Sequence, residues 1–268
     1  RKWLGAPTTA RSGVIAGEAG MVLAVAGTLI LPQVQSYQWI VVGMVVGTVA
    51  GLPLALLMPM TAVPQRTALS HAFGGLAVGL IGTCKYLLAM EAGGLATGAI
   101  DHFKAGVISF EVLLGFLTFT GSLMAFGKLQ EVLPTRPIVY AGQNVLNIGL
   151  LGVAVAIGAY LTWRPLPGTE PLYFALVGLA LTFGVLLIIP IGGADMPTVI
   201  ALLNSYAGLA ASAMGFVLDN KVDEVRLWNA SGYYFIMRQS YLDPRVWVSL
   251  DANDRSVPDA IAGVRGGQ

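Results

Sequence analysis

Hydrophobic residues occur in seven long stretches along this chain, and most charged residues lie between them. Each stretch has about 20 apolar residues, enough for a helix to cross a hydrocarbon layer of about 30 Å. The connections are short, so consecutive helices should be antiparallel neighbours. The pattern predicts an all-α fold, a polytopic transmembrane helix bundle of about seven helices. They are expected near residues 13–32, 38–59, 67–90, 105–127, 144–163, 171–191 and 198–218.

The pattern changes after residue 218. Residues 219–268 carry charged side chains at intervals that leave no apolar window long enough to cross a membrane. We therefore divide the chain into a transmembrane domain, residues 1–218, and a polar C-terminal tail, residues 219–268. The tail shows no Gly-rich phosphate-binding loop. We interpret it as an aberrant or a disordered segment.

Composition agrees with the membrane assignment. The chain is 56% hydrophobic and 11% charged, with a mean hydropathy of +0.74, whereas soluble domains carry about 25% charged residues. The net charge of +1 argues against a nucleic-acid-binding surface, which would show clustered basic residues. Cys84 is the single cysteine, and no cluster of residues at metal-ligand spacing is present, so no metal site is predicted.

The basic residues of the loops predict an orientation. If the helices alternate, Arg66, Lys128 and Arg136 fall on the same side as the N-terminus. The other side has Lys104 and Arg164, diluted by acidic residues. Because cytoplasmic loops are enriched in Lys and Arg, we predict that the N-terminus of this chain is cytoplasmic.

Five polar residues in or beside the helices are candidates for proton chemistry. Glu111 is the only carboxylate well inside the fourth helix, where it is costly unless it faces the bundle interior or water. His71 is a side chain suited to exchanging protons near neutral pH. Asp195 lies in a break that leads into the last helix, and Asn204 and Ser205 lie about 13 Å further along.

We predict a stepped proton path through these residues. Glu111 serves the outer side, His71 and Asn204 lie deeper at comparable depths, and Asp195 marks the cytoplasmic mouth. For His71 the alternative is a bond to a backbone carbonyl, and for Glu111 it is a structural hydrogen bond.

Small and hydroxyl-bearing residues have structural explanations. Thr118, Thr120 and Ser122 are expected to bond back to carbonyls of their own helix. Two sets of glycines at a spacing of four predict close helix contacts. They are Gly43, Gly47 and Gly51 in the second helix, and Gly75 and Gly79 in the third.

Three motifs in this chain resemble the membrane domain of the beta subunit of proton-translocating NAD(P) transhydrogenase. One is Gly-Gly-Ala-Asp-Met-Pro at 192–197, followed by Leu-Asn-Ser-Tyr-Ala-Gly at 203–208. Another is Thr-Phe-Thr-Gly-Ser-Leu-Met-Ala-Phe-Gly-Lys-Leu at 118–129, and the third surrounds His71. The resemblance covers about residues 5–222. It implies a subunit that couples hydride transfer from NADH to NADP+ to proton movement across the membrane.

The resemblance also implies roles, cofactors and partners. The family's histidine and asparagine implicated in proton transfer match His71 and Asn204. Its aspartate at the mouth of the helix matches Asp195, and its buried glutamate matches Glu111. NADP(H) binds in a following soluble domain that is missing from this chain, and NAD(H) binds to the alpha subunit, so this chain is expected to bind no cofactor. The implied setting is the cell inner membrane, with an alpha subunit as partner and a dimer of the alpha–beta unit. Membrane lipid is a further partner, and nucleic acid is not.

Two features keep other interpretations open. After Lys221 the sequence departs from the family, which favours a reading-frame change or a gene-assembly error over a diverged tail. The alternative function is a secondary transporter whose broken helix at 192–197 binds a small substrate. A purely structural scaffold is the third and weakest alternative, because it would not predict ionisable residues in the bundle.

Overall fold

A computed structural model describes residues 10–30, 37–59 and 62–217. Within these ranges the secondary structure is helical, and seven helices are long and apolar enough to span a membrane. The predicted fold class and number of helices are therefore confirmed. The predicted tail, residues 219–268, lies outside the described residues. The helices are α1 (Ala10–Ile30), α2 (Tyr37–Leu57), α3 (Val63–Glu91), α4 (His102–Leu129), α5 (Gln143–Trp163), α6 (Glu170–Ile188) and α7 (Met196–Val217).

Several helix boundaries differ from the prediction by two to four residues, and two of them have a clear local reason. Helix α3 begins at Val63 rather than near 67, because Pro64 fits the first turn, where no amide donor is needed. Helix α4 begins at His102 because the Asp101 side chain accepts a hydrogen bond from the Lys104 backbone N–H at 2.7 Å. Helix α6 ends at Ile188, three residues earlier than predicted.

Helices α1 and α2 form one structural unit. The Tyr37 hydroxyl at the start of α2 donates a hydrogen bond to Leu29 O near the end of α1, at 3.0 Å. A Cβ atom built on Gly43, Gly47 or Gly51 would meet no atom within 4 Å. The predicted close contact through these glycines is therefore absent from the described part of the chain.

Helices α3 to α7 belong to a second unit, with α4 at its centre. Helix α4 packs against α3, α5, α6 and α7. Gly75 of α3 faces Thr118 of α4, and Gly82 faces Glu111, so these two helices are antiparallel. Helices α4 and α5 are also neighbours, as are α5 and α6, whereas α6 and α7 are not packed closely together. The predicted contact between consecutive helices is therefore confirmed for three of the four pairs in this unit and wrong for the fourth, because α7 packs on α4 and α3 instead.

Glycines bring the backbones of the central helices close together. A Cβ atom on Gly75 would lie 2.7 Å from Gly115 O, and one on Gly79 would lie 3.0 Å from the Phe116 ring. The predicted packing role of Gly75 and Gly79 is therefore confirmed. Gly184 of α6 approaches α4 in the same way, because a Cβ atom there would collide with Leu117 O.

Candidate functional site

A line of polar side chains follows one face of α4. Glu111, Thr118 and Ser122 are spaced seven and four residues apart, which places them one above the other on a helix. All three are completely buried. Gly115 lies between them on the same face, where it touches α3. We call the three polar residues the α4 seam.

Glu111 is the ionisable member of the α4 seam. Its carboxyl group packs against Gly82 of α3, since a Cβ atom built there would lie 3.4 Å from Oε1. Neither carboxyl oxygen makes a hydrogen bond with a residue that the structure describes. Glu111 is completely buried and so faces the bundle interior, and the alternative structural hydrogen bond is not seen in these ranges.

Thr118 and Ser122 correct the prediction for the hydroxyl groups of α4. Of the three hydroxyls predicted to bond back to their own helix, Thr120 alone does so, to Phe116 O at 3.2 Å, and it also bridges to Leu181 O of α6 at 2.8 Å. The Thr118 and Ser122 hydroxyls make no hydrogen bond within the described ranges. Their spacing from Glu111 is the sequence signal that would have revealed them.

Asn204 and Ser205 are neighbours on α7 with different surroundings. Both are buried. The Asn204 amide makes no hydrogen bond with the residues described here, whereas the Ser205 hydroxyl donates to Ala201 O of its own helix at 3.0 Å. Leu203, next to Asn204, packs against Gly121 of α4. Asn204 therefore lies at about the level of Ser122, the C-terminal end of the α4 seam.

His71 lies at this same level on α3. It is half-buried and precedes Gly75 by one helical turn, so both are on the same side of α3. Because α3 and α4 are antiparallel and Gly75 faces Thr118, one turn back on α3 corresponds to Ser122 on α4. The predicted comparable depth of His71 and Asn204 agrees with these contacts.

Glu111 lies in the opposite half of the bundle from His71. It faces Gly82, which is eleven residues, or about 17 Å, beyond His71 along α3. Thr118 lies between these two levels on the α4 seam, facing Gly75. The seam thus spans the distance between the two ionisable groups with buried hydroxyl groups.

Asp195 lies at the end of the bundle where α7 begins. Residues Gly193–Asp195 form a short 3₁₀ turn, and the Asp195 side chain is exposed. The turn is held by a hydrogen bond from Gly193 N to Thr135 O at 2.7 Å. The predicted position of Asp195 at a mouth of the bundle agrees with this exposure.

Lys128 is buried rather than exposed in a loop, as its use in predicting the orientation had assumed. Only 1% of its surface is exposed. Its ammonium group donates to Ile188 O, Ile189 O and Ile191 O at 3.3, 2.6 and 2.6 Å. Ile188 is the last residue of α6 and the other two follow it closely, at a helix end that leaves acceptors unsatisfied and carries a partial negative charge. Lys128 therefore caps α6.

Comparison with known proteins assigns the chain to a family. A family model described as NAD(P) transhydrogenase beta subunit matches residues 2–232. The chain belongs to this family. The match extends to residue 232, beyond the point near 222 where we expected the resemblance to end.

Two curated relatives of this beta-subunit family member come from Rhodospirillum rubrum. Both are named NAD(P) transhydrogenase subunit beta and are 42% identical to it over 215 residues. The alignment covers 80% of this chain and 46% of each relative. The chain therefore spans about half the length of the curated relatives that it matches.

Proposed function

We propose that this chain is the proton-translocating membrane part of an NAD(P) transhydrogenase beta subunit. In the assembled complex it couples hydride transfer from NADH to NADP+ to proton movement across the membrane. The observation that carries this proposal is Glu111, a buried carboxyl group without a hydrogen-bond partner among the described residues, on a helix suited to span a membrane. A carboxyl group in that setting is costly as a structural element, and such groups are typical of proton pathways.

The α4 seam supplies the continuation of the path. A hydroxyl group can accept one proton and release another, so Thr118 and Ser122 can pass protons without a change in net charge. Asn204 offers both a donor and an acceptor at the level of Ser122, and His71 at the same level can store a proton between steps. The exposed carboxylate of Asp195 then provides contact with the aqueous phase.

We assign the nucleotides to other parts of the complex. Residues 10–30, 37–59 and 62–217 contain no β-strand, so the strand, Gly-rich loop and helix that bind a dinucleotide are not among them. NADP(H) is proposed to bind in a domain that follows the membrane helices in the family, and NAD(H) on an alpha subunit. We further propose a dimer of the alpha–beta unit in the inner membrane, with the N-terminus of this chain cytoplasmic.

The structure around the break at 192–197 argues against the alternative of a transporter. A broken helix in a transporter offers its unpaired carbonyls to a substrate or an ion. Here the carbonyls of Ile188, Ile189 and Ile191 already accept hydrogen bonds from Lys128. The carbonyls that directly precede the break are therefore already bound by a side chain of the same protein.

Proton flux into lipid vesicles tests the proposed function. The full chain is reconstituted with a pH-sensitive dye inside, and a potassium diffusion potential drives protons inward. Glu111→Gln keeps the size of the side chain but cannot ionise, so we expect at least about a tenfold loss of flux. Asn204→Leu is expected to have a similar effect.

Two matched variants act as controls for this measurement. Glu91→Gln makes the same chemical change at the exposed end of α3, and Ser109→Ala removes a buried hydroxyl of α4 that is bonded to its own helix. Both should keep wild-type flux. Wild-type flux in Glu111→Gln would contradict the proposal, as would wild-type vesicles no more permeable to protons than protein-free ones.

A further inference from the structure

Two tyrosines form a stacked pair between α3 and α6, on the side of Glu111 that faces away from His71. The rings of Tyr86 and Tyr173 are nearly parallel, with an interplanar angle of 9° and centroids 4.0 Å apart. Both side chains are completely buried. The pair therefore fills the space between the two helices with aromatic rings that each carry a hydroxyl group.

Each tyrosine reaches across to a threonine on the opposite helix. The hydroxyl groups of Tyr86 and Thr169 are 2.7 Å apart, at the residue that precedes α6. The Tyr173 hydroxyl donates to Thr83 Oγ1 of α3 at 3.1 Å. The two rings thus point in opposite directions, with one hydroxyl pair near the end of the bundle and the other pair deeper.

The deeper pair lies beside Glu111. Thr83 directly follows Gly82, the residue against which the Glu111 carboxyl group packs. Tyr173 is within electrostatic range of both Glu111 and Tyr86. The other pair ends at Thr169, which is only half-buried and directly precedes Glu170 at the start of α6. A row of hydroxyl groups therefore leads from the buried carboxyl group to the end of the bundle.

We propose that Tyr173 and Tyr86 relay protons between Glu111 and the surface at Thr169. The relay rests on the proposed function and supplies the outer half of the same path. When a proton moves inward, Tyr173 gives its hydroxyl proton to an oxygen of the ionised Glu111 carboxylate and takes the hydroxyl proton of Tyr86. Tyr86 regains a proton from water at Thr169. One O–H bond breaks for each that forms, so no other reactant is consumed. The two hydroxyl pairs lie at opposite ends of the stacked rings, so one ring must rotate between transfers. While the rings are stacked, they keep water from passing between α3 and α6 to Glu111.

Hydrogen–deuterium exchange at the Glu111 carboxyl group tests the relay directly. Infrared spectra of the full chain in lipid vesicles are followed after transfer to deuterated buffer. The Glu111 band is the carboxylic-acid carbonyl band that disappears in Glu111→Gln. Tyr173→Phe and Tyr86→Phe keep the stacked rings and remove one hydroxyl each, and we expect either variant to slow exchange at least about tenfold.

Matched variants separate a relay from a purely structural contact. Tyr160→Phe makes the same change at an exposed position of α5 and should leave the rate unchanged. Thr83→Val removes the acceptor for Tyr173 and should slow exchange as Tyr173→Phe does. A structural contact predicts the reverse, because loosening the helix contact admits water and speeds exchange.

The outcomes also separate this inference from the proposed function. Wild-type exchange rates in both tyrosine variants would overturn the relay, as would the lack of any band that Glu111→Gln removes. Neither result depends on proton flux. Wild-type flux in Glu111→Gln instead overturns the proposed function, whatever the exchange rates are.

Discussion

Lys128 and Glu111 are both buried ionisable residues of α4, but they differ in whether their charged groups make hydrogen bonds. Their side chains are 1% and 0% exposed, so burial does not distinguish them. Lys128 donates to three carbonyl oxygens, whereas Glu111 has no hydrogen bond to the residues that the structure describes. The comparison teaches that the satisfaction of a buried group, rather than its burial, separates a structural charge from a candidate for proton transfer.

The first and largest predicted effect is the loss of protein stability when Lys128, whose ammonium group is fully hydrogen-bonded, is replaced. Lys128→Met keeps most of the side-chain volume and removes the donor for the α6 carbonyls. Because hydrogen bonds from charged groups are worth more than neutral ones, we expect a loss of about 3 kcal/mol or more in the free energy of unfolding. Titration of the purified chain with SDS in mixed micelles, followed by tryptophan fluorescence, measures it.

Lys85→Met is the matched control for this prediction, since Lys85 is an exposed lysine on α3. Its unfolding free energy should stay within about 0.5 kcal/mol of wild type. Equal stability of the Lys128 and Lys85 variants would contradict the comparison, because the three hydrogen bonds of Lys128 would then contribute nothing to stability.

A second prediction concerns a pair of threonines on α4. Thr120→Val removes a hydroxyl that bridges to Leu181 O, so we expect a loss of about 1 kcal/mol in the free energy of unfolding. Thr118→Val removes a hydroxyl without a hydrogen bond in the described ranges and should be neutral or stabilising. The same micelle titration measures both variants. A larger loss for Thr118→Val than for Thr120→Val would show that the seam hydroxyls are structural.

The smallest stability effect is expected at Glu111. Glu111→Gln leaves the volume unchanged and removes no hydrogen bond seen in the structure, so the free energy of unfolding should change by less than about 1 kcal/mol. The same SDS titration measures this variant, with Glu91→Gln as its control. A loss as large as that of Lys128→Met would mean that Glu111 has a strong partner, and the two residues would then no longer differ.

Most of the fold follows from the sequence because lipid imposes a simple rule. A span must be helical and about 20 residues long, so hydrophobic stretches predict all seven helices. The predicted start of α3 near 67 was late because Pro64 fits the first turn of a helix, which the hydrophobic pattern does not reveal. Boundary errors of this kind depend on local capping, which hydrophobicity does not encode.

The candidate site was only partly predictable, because sequence shows which groups are polar but not which are satisfied. Glu111 and Asn204 stood out because polar groups are rare within apolar stretches. Thr118 and Thr120 are two residues apart and look alike in sequence, yet only Thr120 faces a carbonyl of α6. Lys128 was assigned to a loop because its acceptors are about 60 residues away in sequence. Whether each of these polar groups is structural depends on hydrogen bonds to other helices, which sequence does not show.

The glycine contacts between α3, α4 and α6 have a genetic consequence. Any single-base change in a glycine codon that alters the amino acid adds at least a Cβ atom. At Gly75, Gly115 and Gly184 that atom would meet the backbone of a neighbouring helix. Inherited changes at these three codons should therefore lower the amount of protein in the membrane. If the chain carries protons as proposed, a screen for mutants that make normal amounts of protein but fail to move protons should instead return codons of the α4 seam.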